Sequence, residues 1–99
     1  MIDIAKIIGF DWDDGNIRKN DKHGVSMAEA EKVFFNTPLL LLIDNRQDYK
    51  EPRFHALGKT DDKRLLHITF TLRFSGEKIR VISARGMHKK ERTNYEQTT

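Results

Sequence analysis

Every second residue from Leu66 to Phe74 is apolar, which is the period of a β-strand with one buried face. A second, β-branched stretch runs from Ile79 to Ala84. Between them, Ser75-Gly76-Glu77-Lys78 supplies a glycine that can adopt the positive φ of a tight turn. The two stretches therefore predict a β-hairpin. The residues expected in the core are Leu66, Ile68, Phe70 and Leu72 of the first strand, with Val33 and Phe34 of a preceding helix.

A hairpin joined at this turn predicts a particular register. It places Leu72 opposite Val81, and Arg73 opposite Arg80 on the polar face, while Arg85 falls on the apolar face. Because like charges directly opposite each other destabilise a sheet, the arginine pair requires solvent, an acidic neighbour or a bound anion. The sequence leaves these three explanations open.

Capping and turn signals predict the other elements. Asp13 can cap a helix from Asn16 to Lys22, and Ser26 with Glu29 forms the capping box of a second helix. Short apolar stretches predict strands at 7–12, 39–43 and 53–58, and the five apolar residues of 39–43 predict a strand buried on both faces. A final helix follows the hairpin. The expected fold is one small α+β domain over residues 1–99, an antiparallel sheet with two N-terminal helices and a C-terminal helix, all packed on one face.

The charge distribution is uneven. The net charge is +3, and residues 78–92 contain six Lys or Arg residues against one acidic residue, Glu91. This bias favours a polyanionic or an acidic protein partner, although a solvated surface remains open. The absence of cysteine excludes disulfides and thiolate metal sites and is typical of a reducing cytoplasm. We expect no membrane segment, since the longest apolar run, 39–43, is too short to span a bilayer.

An ordered set of short motifs resembles the BrnT toxins. The first half matches through Phe10-x-Trp12-Asp13, Asn20-x-Lys22-His23-Gly24-Val25-Ser26, Glu29-Ala30 and Val33-Phe34. The second half matches through Glu51-x-Arg53-Phe54, Leu57-Gly58, Arg64-Leu65-Leu66, the segment 79–85 and Glu91-Arg92-x-x-Tyr95-Glu96. The resemblance implies a RelE-like fold and a cytoplasmic toxin of a type II toxin–antitoxin pair that cleaves RNA. It also implies a BrnA-type antitoxin that binds operator DNA, in a heterotetramer of two toxins on an antitoxin dimer.

The implied reaction is attack of a ribose 2′-hydroxyl on the neighbouring phosphodiester, with no metal ion or other cofactor. It requires cations for the phosphorane, a proton acceptor and a proton donor. Arginine cannot serve as the base, because its pKa stays above about 12. The groups available for proton transfer are Glu91, His67, His88 and Tyr95, and the sequence does not choose among them. We predict catalytic roles for Arg64, Arg80, Arg85 and Glu91, and RNA binding by Lys22, His23, Arg53, Arg73 and Arg92.

Structural explanations stay open for the same residues. Arg85 could pair with Glu91 or Glu96, and Arg80 could be a solvated strand residue. The histidines show no metal-ligand spacing, so no metal site is predicted. Two other function classes also remain: an RNA-binding module without chemistry, and a protein-interaction domain whose basic helix binds an acidic partner.

Overall fold

A five-stranded sheet organises the computed structural model, which describes residues 4–44 and 51–99. The strand order is β1-β5-β4-β3-β2, and every neighbouring pair is antiparallel except β1 and β5, which are parallel. The prediction of an α+β fold with a mostly antiparallel sheet is confirmed. In chain order the elements are a 3-10 turn (Ile4–Lys6), β1 (Gly9–Phe10), α1 (Asp14–Lys22), α2 (Met27–Val33), β2 (Leu40–Ile43), β3 (Phe54–Lys59), β4 (Leu65–Arg73), β5 (Lys78–Gly86) and α3 (Lys89–Thr98).

The two N-terminal helices begin at the predicted caps. The Asp13 carboxylate accepts a hydrogen bond from the Asn16 backbone N–H at 2.9 Å. The Ser26 hydroxyl accepts from the Glu29 backbone N–H, and the Glu29 carboxylate accepts from the Ser26 N–H, both at 3.1 Å. These bonds satisfy amide groups that have no partner within a helix. None of the helices in the described ranges is both long enough and apolar enough to cross a bilayer.

The main core lies between the sheet and α2, together with apolar residues that flank α1. Phe70 is fully buried, and its ring packs edge-on against Phe34 with centroids 5.1 Å apart. Gly58 of β3 allows α2 to approach, since a Cβ atom there would lie 2.8 Å from Cγ1 of Val33. Five of the six predicted core residues are buried, and Leu72 is partly buried against the same cluster.

The third helix packs on the opposite face, so the prediction that all helices share one face was wrong. Ala56 belongs to the main core, while its neighbour Leu57 packs with Tyr95 of α3 in a second apolar cluster. Successive residues of a strand point to opposite faces, which places α3 across the sheet from α2. The Tyr95 hydroxyl also donates a hydrogen bond to the Pro38 carbonyl at 2.6 Å.

The hairpin forms as predicted, but its register differs. The turn occupies 74–77, with Phe74, Ser75 and Gly76 all at positive φ, and Leu72 therefore lies opposite Ile79. Arg73 faces Lys78, and Arg80 faces Thr71.

A β-bulge then changes the alternation of β5. Val81 pairs with Phe70 and Ser83 pairs with Thr69, so Ile82 is an extra residue in the ladder. As a result, Arg85 lies opposite His67 on the polar face, and not on the apolar face as predicted.

The strand β2 was predicted to be buried on both faces, and this is wrong. β2 is the last strand of the sheet and pairs with β3 on one side. Leu42 and Ile43 are 45% and 61% exposed. β2 is therefore an apolar edge strand of which only one end is covered. Its composition alone does not distinguish such a strand from a central one.

Candidate active site

The polar face of the central strands gathers the chemistry-bearing side chains. Cross-strand pairs share a face, and His67 lies opposite Arg85 while Thr69 lies opposite both His55 and Ser83. The first turn of α3 adjoins this face, because β5 leads into it through only Met87 and His88. The fold therefore brings residues from β3, β4, β5 and α3 together.

Arg85 and Glu91 form a bidentate ion pair at the junction of β5 and α3. The Nη1 atom of Arg85 lies 2.8 Å from Oε1 of Glu91, and Nη2 lies 2.9 Å from Oε2. Oε1 also accepts the backbone N–H of His88 at 2.8 Å, so Glu91 both caps α3 and fixes the guanidinium. About a quarter of each side chain is exposed, at 25% and 24%.

This environment keeps Glu91 ionised. Partial burial raises its pKa, but the Arg85 guanidinium and the His88 backbone N–H outweigh burial and bring the pKa to about 2. At neutral pH the group is a carboxylate with little affinity for a proton. Glu91 is thus better suited to orienting Arg85 than to accepting the hydroxyl proton.

Two histidines connect this pair with Asp44 through close side-chain contacts. His67 contacts Glu91 through Nδ1 at 3.1 Å and His55 through Nε2, which lies 2.9 Å from the His55 Nδ1. The Nε2 atom of His55 lies 3.0 Å from Oδ2 of Asp44, whose side chain is only 5% exposed. We call these four residues, Asp44, His55, His67 and Glu91, the carboxylate–histidine chain. Thr69 Oγ1 also lies 3.2 Å from Nδ1 of His55.

His67 is held neutral at physiological pH. Burial lowers its pKa to about 4, even though the nearby Glu91 carboxylate acts in the opposite direction. A neutral imidazole has one N–H and one acceptor nitrogen, so only one of the two ring nitrogens can donate a hydrogen bond.

Arg80 lies on the same face and is held by Asp11. Its Nε and Nη2 atoms lie 3.0 and 2.6 Å from Oδ2 of Asp11, which directly follows β1. An acidic neighbour is therefore the explanation that applies to this arginine, of the three left open by the sequence. Arg73, further along the same face of β4, is paired with Glu51.

Three other predicted residues meet at the junction of α1 and α2. Arg64 donates to the Gly24 carbonyl at 2.7 Å and to the Glu29 carboxylate at 3.2 Å, and Nη2 lies 3.5 Å from the carbonyl oxygen of His23. Lys22 is the last residue of α1, and His23 is its C-cap. Through these contacts Arg64 acts as a clamp, meaning that it links the start of β4 to the junction of α1 and α2. None of these contacts connects Arg64 with Arg85 or Glu91.

The remaining predicted groups are spread around the polar face. Arg53 directly precedes β3, and its carbonyl accepts a hydrogen bond from the Asp44 N–H at 3.0 Å. Arg92 is exposed on α3. Tyr95 is buried, which raises its pKa, and its hydroxyl is engaged with Pro38, so it is poorly placed for proton transfer.

Asp44 and His55 are the site residues that the sequence does not reveal. His55 reads as an ordinary strand residue, and Asp44 as the start of a polar loop. Their connection depends on the pairing of β2 with β3 and of β3 with β4. Within residues 4–44 and 51–99, no group of three or more His, Cys, Asp or Glu side chains is arranged to hold a metal ion.

Comparisons with known proteins agree with this fold. A family described as the ribonuclease toxin BrnT of type II toxin–antitoxin systems matches residues 12–91. The 1.1 Å crystal structure of the Brucella abortus ribonuclease toxin BrnT is similar in fold, with a TM-score of 0.56 and 20% sequence identity. That likeness covers 82% of this chain and 97% of the Brucella chain. No curated protein matches the sequence at a significant level.

Proposed function

Because the chain belongs to the BrnT family of ribonuclease toxins of type II toxin–antitoxin systems, we propose that it is an endoribonuclease that needs no metal ion. The ribose 2′-hydroxyl attacks the adjacent phosphodiester, and the products are a 2′,3′-cyclic phosphate and a free 5′-hydroxyl. Cleavage of RNA in this way inhibits translation. The family match spans Arg80, Arg85 and the whole carboxylate–histidine chain.

The Arg85–Glu91 pair is the observation that carries this proposal. A guanidinium fixed by two hydrogen bonds to one carboxylate needs little reorganisation when a phosphate approaches it. The phosphorane carries more negative charge than the substrate, so preorganised cations stabilise it more than they stabilise bound RNA. Arg80, held by Asp11 on the same face, supplies the second cation.

RNA binding away from the scissile phosphate is assigned to the flanking basic residues. Arg53, Arg73 and Arg92 border the polar face, whereas Lys22 and His23 lie at the helix junction that Arg64 clamps. Phosphate contacts of this kind position the strand without reading its bases. Arg64 keeps a predicted catalytic role only if RNA also reaches that junction.

The partner that neutralises the toxin is proposed to be a BrnA-type antitoxin. Family membership implies an antitoxin protein and an RNA target. We further propose a heterotetramer of two toxins and two antitoxins in the cytoplasm, in which only the antitoxin contacts operator DNA. The basic excess of residues 78–92 supports an acidic surface on that partner.

One cleavage assay tests the proposal. The purified protein is incubated with a short RNA in EDTA, and with the same RNA carrying a single 2′-deoxyribose at the cleavage site. The expected result is a 2′,3′-cyclic phosphate product from the first substrate and no cleavage of the second at that site. Loss of activity in EDTA, or cleavage of the deoxy site, would contradict the mechanism. Salt-dependent binding of both RNAs without any product would instead support a non-catalytic RNA-binding module.

A further inference from the structure

The tip of the β4–β5 hairpin exposes an aromatic side chain that the sequence pattern places in the core. Apolar residues alternate from Leu66 to Phe74, so Phe74 is expected on the buried face together with Leu72. In the structure Phe74 is 64% exposed. Its φ of 55° lies in the left-handed region, and β4 ends at the residue before it. The turn therefore directs this ring away from the core and into solvent.

The ring lies beside the polar face of the sheet. Lys78 is opposite Arg73 in the β4–β5 ladder, and it shares a face with Arg80, two positions further along β5. The Nζ atom of Lys78 lies over the ring of Phe74, 5.3 Å from its centroid. An ammonium in this position is attracted by the electron-rich face of the ring. This contact keeps the ring at the polar-face end of the hairpin.

Neither the backbone nor burial favours phenylalanine at this position. A bulky residue rarely adopts a positive φ, whereas glycine does so readily, as Gly76 does two positions later. A ring left in water also gains little from the hydrophobic effect. A residue that suits neither its backbone conformation nor the core indicates a role outside the folded chain.

The exposed ring continues a line of cations along the polar face. Arg85, Arg80 and Lys78 follow one another along β5 toward the hairpin tip. On β4 the distance from the partner of Arg85 to the partner of Lys78 is six positions, which is roughly 20 Å at about 3.3 Å per residue. An RNA strand with its scissile phosphate at Arg85 would therefore reach the tip only after several nucleotides.

We propose that Phe74 is a stacking platform for one unpaired base of the RNA substrate, several nucleotides away from the cleaved bond. This inference rests on the proposed ribonuclease function and adds a second contact point to it. Exposed aromatic side chains beside cationic groups are a common way of binding single-stranded nucleic acid. Because every base has a π-face, such a contact tolerates different base sequences.

The charges at the tip favour a base over a phosphate as the ligand. Arg73 is paired with the carboxylate of Glu51. Lys78 lies over the ring, and the carboxylate of Glu77 is exposed in the same turn. Two carboxylates thus balance two cations, and the ring of Phe74 is the group that this end of the hairpin offers to RNA.

Two substitutions at Phe74 separate stacking from turn stability. Phe74→Gly removes the ring and suits the positive φ, so its thermal unfolding midpoint should be no lower than that of the wild type. Phe74→Trp keeps an aromatic surface and should keep RNA affinity. The matched control is Phe35→Ala, because Phe35 is 71% exposed but lies after α2 and packs against Phe10 of β1.

The first measurement is RNA binding by fluorescence anisotropy. The probe is a single-stranded RNA of about ten nucleotides, with a 2′-deoxyribose at the cleavage site so that it stays intact. Phe74→Gly should raise Kd by about 10-fold, as loss of one base–aromatic stack does, while Phe74→Trp and Phe35→Ala should match the wild type. The slope of log affinity against log salt concentration should stay unchanged, because a stacked base releases no counterion. An unchanged Kd or a reduced salt slope in Phe74→Gly would overturn the proposal.

The second measurement locates the stacked nucleotide. A series of the same RNA lacks the base at one position at a time. One position away from the cleavage site should bind the wild type about 10-fold more weakly than the intact RNA does. Phe74→Gly should bind that abasic RNA and the intact RNA equally well. An equal penalty in both proteins, at every position, would show that no base stacks on Phe74.

A trinucleotide that contains the scissile bond distinguishes the tip from the reaction centre. It is too short to reach from Arg85 to the tip, so Phe74→Gly should cleave it with the wild-type kcat/KM, although KM for the longer RNA rises. Equal losses on both substrates would show that Phe74 acts through the structure of the sheet. A wild-type protein that neither binds nor cleaves RNA would refute the proposed function together with the stacking role. Cleavage of the longer RNA with the same KM by the wild type and Phe74→Gly would refute the stacking role alone.

Discussion

Glu91 shows how one carboxylate can hold two groups in place. The carboxylate that caps α3 is the same group that holds the guanidinium in place. Removing the arginine therefore leaves a partly buried carboxylate without its main partner. Any measurement on Arg85 has to separate lost stability from lost catalysis.

We predict that Arg85→Ala and Arg80→Ala lower turnover more than RNA affinity. Loss of one preorganised charge-stabilising donor typically costs about 10²–10³ in rate. The measurement is kcat and KM on a short RNA, with thermal unfolding of each variant as the control for folding. Arg85→Lys keeps the positive charge but loses the paired N–H donors of the guanidinium, so it should recover only part of the rate that Arg85→Ala loses. Full activity in both alanine variants would move the site toward Arg53 and Arg64.

His67 gives the protein a specific acid sensitivity. Its folded pKa is about 4 against an ordinary value of 6.5, so below pH 6.5 the unfolded chain binds a proton that the folded protein does not. Stability should therefore be complete above about pH 6.5 and, since solvent screens part of the effect, fall by about 1–3 kcal/mol between about pH 6.5 and 4. Urea unfolding at several pH values measures this slope, which His67→Gln should flatten. The pKa of Glu91 is also depressed, so this carboxylate contributes stability that is lost in a lower window, as the pH falls below 4.5. An unchanged slope in His67→Gln would contradict the assignment.

At the scale of the elements, the contact between α2 and β3 depends on the absence of a side chain at Gly58. A Cβ atom there would lie 2.8 Å from Cγ1 of Val33, a stiff β-branched side chain within a helix. Gly58→Ala should destabilise the protein by about 1–3 kcal/mol, as overpacked core substitutions do. Gly9→Ala is the control, since a Cβ atom at Gly9 would have no neighbouring atom within 4 Å. Equal unfolding midpoints for the two variants would show that α2 can shift without cost.

The elements were predictable from the sequence where local physics determines them. Strict alternation predicts β4, and the Ser26–Glu29 capping box predicts the start of α2. The hairpin register was not predictable, because the turn places Phe74 and Ser75 at positive φ, which non-glycine residues rarely adopt. The pairing of His55 with His67 depends in turn on how three strands align, and no local signal encodes that alignment.

At the scale of the whole molecule, most of the basic face is internally compensated. Asp11, Glu91 and Glu51 pair with Arg80, Arg85 and Arg73, respectively. On this face, among residues 4–44 and 51–99, the exposed positive charge lies mainly on α3 and the β5–α3 junction, where Lys89, Lys90 and Arg92 are exposed. Both RNA and an acidic protein would be attracted to the same region.

We therefore predict that the antitoxin covers the surface that binds RNA and so inhibits without an allosteric change. Hydrogen exchange of the complex should show protection over β5 and the first turn of α3, and RNA should compete with the antitoxin for binding. Charge reversal at exposed Lys89 or Lys90 should weaken both interactions and make both less dependent on salt. A complex in which Arg80, Arg85 and Arg92 stay accessible, although cleavage is abolished, would require another mode of inhibition.

The extra residue at Ile82 has a consequence for how related chains can vary in length. In a regular strand, two side chains on one face are separated by an even number of positions, yet Arg80 and Arg85 are an odd number apart. Deleting Ile82 would leave both arginines on the polar face but four positions apart, with a straighter strand between them. The parity of this spacing is therefore a signature that can be read from a sequence. Relatives with an odd interval should carry the bulge, and those with an even interval should have lost it.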